Sequence, residues 1–148
     1  MIESGRKAPD FTLPDHSGRE VSLSDYQGRR LLLVFYPLDF SPICTDQLAS
    51  YEKIAQQLEE AGVEMVGISV DSAFAHAAFR DKLGVETTLL ADFEPKGKVA
   101  SDYGAYLDQA GHSNRSLVLI DADGVVEWVH EADTPLDIPS PDLILQAI

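Results

Sequence analysis

Six consecutive apolar residues, Leu31-Leu32-Leu33-Val34-Phe35-Tyr36, run straight into Pro37. A strand with one wet face alternates apolar and polar residues. An unbroken apolar run instead demands cover on both faces, and a proline, which has no N–H to give, ends it. Val63–Val70 (VEMVGISV) and Ser116–Ile120 (SLVLI) read the same way. Strands of this kind belong to a sheet packed between helices, and the intervening sequence supplies them. From Gln47 to Ala61, apolar residues fall at Leu48, Tyr51, Ile54, Leu58 and Ala61, a helical spacing, with Gly62 as the stop. Ala73–Leu83 is a second helix, closed by Gly84, and Pro95–Tyr103 reads as a short third. The tail Pro141–Ile148 begins with Ser140 as N-cap and proline at the first helical position.

Two hairpins complete the order. Ala8–Leu13 and Glu20–Leu23 are short extended segments around the turn His16-Ser17-Gly18. Asp121-Ala122-Asp123-Gly124 joins Ser116–Ile120 to Val125–His130. The sequence therefore reads hairpin, β, α, β, α, β, short α, hairpin, α. A parallel βαβ unit feeding an antiparallel hairpin gives an α/β fold of thioredoxin-like type, with a mixed central sheet flanked by helices and an N-terminal β-hairpin extension. No repeat and no long Pro/Gly/Ser-rich linker divides residues 1–148, so one domain is expected.

Charge and cysteine content narrow the function. A net charge of −14 argues against nucleic acid and anionic membranes as partners, since both require clustered Lys and Arg. No run approaches a membrane span and the opening MIESGRKAPDF has no apolar signal core, so a cytoplasmic protein is expected. Cys44 is the one cysteine, which excludes an internal disulfide and leaves either an inert buried thiol or a reactive one.

Position argues for reactivity. Ser41 is a good N-cap and Pro42 suits the first helical position, so Cys44 falls in the first turn of the following helix. There the helix dipole and unpaired N–H groups favour a thiolate. Ionisation alone is not enough. A free thiol is about 3% ionised at pH 7, so complete ionisation gains at most about 30-fold, or about 2 kcal/mol. The site must also stabilise the transition state. Ser41, three residues before Cys44, can share the pocket and hydrogen-bond a substrate oxygen. Arg115 directly precedes Ser116–Ile120. If that strand runs antiparallel to Leu31–Tyr36, Arg115 approaches Cys44, where a guanidinium can hold the sulfur and donate to a substrate oxygen.

Pro37-x-x-x-Ser41-x-x-Cys44 resembles the Pro-x-x-x-(Thr/Ser)-x-x-Cys signature of the peroxiredoxins, and Ala8-Pro9-Asp10-Phe11-Thr12-Leu13 resembles their N-terminal opening. The likeness covers essentially the whole chain and is closest to the bacterioferritin-comigratory-protein-like branch. It implies a thiol-dependent hydroperoxide reductase in which Cys44 is oxidised to sulfenic acid, Ser41 and Arg115 complete the peroxide site, Pro37 shields the sulfur and Gln47 supports the hydrogen bonds. It also makes a homodimer plausible. Two positions depart from the branch. Ser41 stands where threonine is usual, and Ala49, five after Cys44, stands where many relatives carry a resolving cysteine. The expected cycle is therefore a one-cysteine one, in which an outside thiol (thioredoxin, glutaredoxin or a low-molecular-weight thiol) attacks the sulfenic acid.

This chemistry needs no metal, haem or flavin. His16, His76, His112 and His130 are scattered without metal-ligand spacing. The alternative from another class is a peroxide sensor or redox-relay module without sustained turnover. A thioredoxin-type disulfide reductase is disfavoured because Gln47 stands where a Cys-x-x-Cys pair needs its second cysteine.

Overall fold

The computed structural model describes residues 1–148. The chain opens with an antiparallel hairpin of β1 (Thr12–Pro14) and β2 (Glu20–Ser22), followed by β3 (Arg30–Phe35). Then come α1 (Pro42–Glu52), α2 (Ala55–Glu60), β4 (Val63–Ser69), α3 (Ala73–Leu83), β5 (Thr88–Ala91) and α4 (Lys98–Asp102). A two-stranded ribbon, β6 (Tyr106–Leu107) with β7 (His112–Ser113), precedes β8 (Ser116–Ile120), β9 (Val126–Glu131) and α5 (Pro141–Ala147).

The central sheet has the order β5-β4-β3-β8-β9. Strands β5, β4 and β3 are parallel, and β8 and β9 are added antiparallel. The apolar run behaves as its composition requires. Leu31, Leu33 and Phe35 of β3 enter one core with Phe11, Leu13, Val99 and Tyr103, beneath the N-terminal hairpin and α4. Leu32 and Val34 face the opposite layer, against Tyr51, Ile54, Leu58 and Ile144 of the α1–α2 region and α5. Tyr36 continues that second face into a smaller cluster with Cys44, Leu48, Phe79 and Leu89. Gly67 permits this packing: a Cβ there would lie 2.8 Å from Leu89 Cδ2 and 3.1 Å from the Tyr36 ring. No helix is long and apolar enough to cross a membrane.

Several expected boundaries shift, each for a local reason. The helix read through Gln47–Ala61 starts at Pro42, the position expected of it, but breaks into two, because Lys53 N–H and Ile54 N–H bond three residues back, to Ser50 and Tyr51 carbonyls, and tighten the turn. Tyr51, Ile54 and Leu58 still share one core, so the apolar stripe survives the break. The third helix shortens to Lys98–Asp102. Gly97 adopts φ 71°, and the Asp92 carboxylate accepts from Val99 and Ala100 N–H, which sets the helix start there rather than at Pro95. The first hairpin strand begins only at Thr12; Ala8 N–H instead bonds the Gly124 carbonyl. The β6–β7 ribbon and a 3₁₀ turn at Leu23–Tyr26 were not foreseen.

Candidate active site

The register of one strand pair assembles the site. Phe35, the last residue of β3, lies opposite Ser116, the first of antiparallel β8. Arg115 is therefore delivered to the sheet edge from which the chain leaves toward Cys44, as expected. Its Nη1 donates to Cys44 Sγ at 3.2 Å and to Gln47 Oε1 at 2.6 Å, while its Nε donates to the Pro135 carbonyl. Cys44 and Gln47 are 0% exposed and Arg115 2%. A buried guanidinium thus has its hydrogen bonds spread over the sulfur, an amide and a carbonyl, the arrangement that a buried charge needs.

Cys44 is the third residue of α1. The first intrahelical bond runs from Thr45 N–H to the Ser41 carbonyl, and the N–H groups of Ile43 and Cys44 have no protein acceptor. The reason overturns one expectation. Ser41 has the extended backbone of an N-cap, but its hydroxyl makes no cap bond; it donates to the Leu38 carbonyl at 3.1 Å. The open end of α1 therefore presents two donors and the positive end of its dipole beside the sulfur, where an anionic or developing-anion oxygen can accept.

Of the five residues singled out by sequence, Cys44, Gln47 and Arg115 are joined directly by hydrogen bonds. Pro37 is buried at the end of β3, and Ser41 sits half-buried at the mouth of α1. Neither side chain is bonded to the sulfur.

Two neighbouring networks were missed. The Tyr51 hydroxyl accepts from Gln47 Nε2 at 3.2 Å and donates to the Pro139 carbonyl at 2.7 Å. Burial pushes the Tyr51 phenol up to about 12, against the smaller opposing effects of the Gln47 hydrogen bond and the Arg115 charge. Beyond the sulfur, the Tyr36 hydroxyl donates to Asp39 Oδ1 at 2.6 Å, and Asp39 Oδ2 lies 2.7 Å from His76 Nδ1. His76 Nε2 meets the Leu90 carbonyl at 2.9 Å, so this nitrogen carries a hydrogen. Burial, then the Asp39 charge, holds the Tyr36 phenol well above its ordinary value. The signals were present but weak. In the sequence Tyr51 reads as an apolar member of the helical stripe, although it lies four residues after Gln47 on the same face. His76 lacked a carboxylate partner in sequence because Asp39 is 37 residues away.

The sequence matches the AhpC/TSA family over residues 4–129. The chain belongs to that family. It is 38% identical over 130 residues to the chloroplastic Peroxiredoxin Q of Sedum lineare, covering 87% of this chain and 69% of that one. It is 36% identical over 125 residues to Peroxiredoxin-4 of Dictyostelium discoideum, covering 80% of this chain but only 48% of that protein. Among solved structures, peroxidoxin BcpB from Mycobacterium tuberculosis superposes with a TM-score of 0.85 at 26% identity, covering 99% of this chain and 94% of that one. The likenesses place this AhpC/TSA member on the bacterioferritin-comigratory-protein-like branch of the peroxiredoxins, with Cys44 as its one cysteine.

Proposed function

We propose that this peroxiredoxin, acting as one domain, is a thiol-dependent peroxidase that reduces hydrogen peroxide and organic hydroperoxides at Cys44 and relies on an outside thiol to complete the cycle. The observation that carries the reading is the Arg115 Nη1–Cys44 Sγ contact at 3.2 Å, at the open N-terminus of α1.

In the first step the Cys44 thiolate attacks one peroxide oxygen. The S–O bond forms as the O–O bond breaks, and the departing oxygen leaves as water or an alcohol after taking a proton. Charge moves from sulfur onto that departing oxygen. Arg115 and the free N–H groups of Ile43 and Cys44 are fixed donors in a site without bulk water, where such donors are worth most. Ser41, half-buried at the entrance, would rotate its hydroxyl from the Leu38 carbonyl to a peroxide oxygen. Buried Pro37 keeps water from the sulfur.

The product is a sulfenic acid. A first outside thiol displaces water and forms a mixed disulfide; a second releases Cys44 and leaves with the first as a disulfide. Peroxide and two thiols thus become water or alcohol, water and one disulfide. No second cysteine is available to replace the outside thiol. Cys44 is 0% exposed, so both the peroxide and the outside thiol reach Sγ only when the surrounding chain, such as the first turn of α1, moves. A small thiol, thioredoxin or glutaredoxin could each serve. The proposed site of action is the cytoplasm. A homodimer is also proposed, supported by apolar side chains exposed at Leu38, Phe40 and Phe74.

The test is turnover of hydrogen peroxide by reduced protein with dithiothreitol as the added thiol. The proposal expects many cycles per molecule and none for Cys44→Ser. One equivalent consumed per molecule and no more, with excess dithiothreitol present, would contradict a peroxidase and favour the sensor reading.

A further inference from the structure

The hydrogen bonds beside Cys44 form a chain whose direction is fixed at both ends. At one end stands Arg115, whose guanidinium can only donate; at the other stands the Pro139 carbonyl, which can only accept. Between them lie Gln47 and Tyr51, both of which can reverse. Because Arg115 Nη1 donates to Gln47, the amide must offer Oε1, and its Nε2 must then face Tyr51. The Tyr51 oxygen accepts that hydrogen, so its own proton goes to Pro139. Tyr51 and Gln47 are 0% exposed, so bulk solvent does not reach these groups.

We propose that Tyr51 is a positioning residue for the peroxide reaction: its hydroxyl fixes the orientation of the Gln47 amide, which holds Arg115 against the Cys44 sulfur. This inference rests on the peroxidase reading above and names a residue outside the reacting set. Without the hydroxyl, Gln47 Nε2 has no acceptor. A buried amide with an unpaired N–H gains by turning or by shifting toward another partner, and either movement withdraws Oε1 from Arg115. The guanidinium then has the sulfur and Pro135 as its remaining acceptors, and its distance to Sγ is no longer set from the α1 side. A displacement of about 1 Å costs up to about 100-fold in rate when the displaced group acts in the transition state. Tyr51 stays protonated through the neutral range, because burial pushes it up to about 12, so the chain keeps its direction at any working pH.

The variant is Tyr51→Phe, which keeps the ring and removes one oxygen. Its effect on the single-turnover rate of Cys44 oxidation by hydrogen peroxide is measured in three backgrounds. In the wild-type background a loss of about tenfold or more is expected. In Gln47→Leu, which has already lost the link, Tyr51→Phe should cost less than about twofold further. In Gln47→Glu the carboxylate accepts from Arg115 with either oxygen and needs no orientation, so the cost should again be below about twofold. A general loss of packing would instead lower the rate by the same factor in all three backgrounds, and that result overturns the proposal, as does no loss in any of them.

A readout without peroxide separates this inference from the peroxidase reading. The Gln47 side-chain amide should give one slowly exchanging pair of NMR signals in the wild type and lose that protection in Tyr51→Phe. Protection unchanged by the substitution overturns the positioning role. A protein that reacts no faster than free cysteine, yet shows the expected loss of protection, refutes the peroxidase and leaves the hydrogen-bond chain standing.

Discussion

Replacing His76 by leucine isolates the buried cluster that anchors the loop between β3 and α1. His76 is 0% exposed and Asp39 7%, and one proton lies between Nδ1 and Oδ2 across 2.7 Å. Asp39 also ties the loop to the sheet, since its N–H donates to Asp71 Oδ2 at 2.8 Å and its Oδ1 accepts from Tyr36. Leucine roughly fills the imidazole space but leaves Asp39 Oδ2 without its partner. Breaking a buried pair from one side costs about 3–5 kcal/mol. For 148 residues, an unfolding entropy of about 2.1 cal/mol/K per residue gives about 0.3 kcal/mol/K, so the melting temperature should fall by about 10–15 °C. The loop carries Pro37 and Ser41, so Cys44 oxidation should slow in the protein that remains folded. Calorimetry of the wild type, His76→Leu and the double variant Asp39→Leu/His76→Leu tests the reasoning. The double variant removes the stranded carboxylate and should regain part of the loss. A fall below about 3 °C for His76→Leu, or a double variant less stable than the single one by the full cost of a second lesion, would refute the account of a coupled buried pair.

Arg115→Ala should slow single-turnover oxidation by about 10²- to 10³-fold, the usual cost of losing a transition-state donor, and the deficit should persist at about pH 9.5, above the ordinary thiol range. A deficit that vanishes there would confine Arg115 to ionising the sulfur. Ser41→Ala should leave the melting temperature within about 3 °C, because the Ser41 hydroxyl bonds Leu38 and caps nothing, while slowing oxidation by about tenfold or more. A larger stability loss with unchanged rate would make Ser41 purely structural. Burial raises the Tyr36, Tyr51 and Tyr103 phenols in the folded state above their unfolded values, so the stability they contribute is complete below about pH 10 and is lost as pH rises through the folded values. Tyrosinate absorbance should report these three only on unfolding. Titration of all tyrosines near pH 10 in the native protein would contradict their burial.

Much of this arrangement was legible because it rests on local rules. Leu31–Tyr36 could only be an inner strand, and Gly84, at φ 66° after α3, marked a helix end that any other residue would strain to make. The antiparallel placement of β8 brought Arg115 to Cys44 from topology alone. The unread parts depend on contacts distant in sequence or on the choice between competing partners. Nothing near Asp39 announced His76, and nothing in the helical stripe marked Tyr51 as polar in its role. Ser41 had the residue type and backbone of a capping serine, yet the nearby Leu38 carbonyl claims its proton. The break at Lys53–Ile54 was hidden because the apolar spacing continues across it.

The measurement closest to the central claim is the rate at which fully reduced protein loses its Cys44 thiol to one equivalent of hydrogen peroxide, with the product weighed by mass spectrometry. Loss orders of magnitude faster than for free cysteine, with one oxygen added at Cys44, is the predicted result. A rate equal to that of free cysteine would mean that the Arg115 contact and the open end of α1 do nothing for the peroxide, and the proposed function would fall.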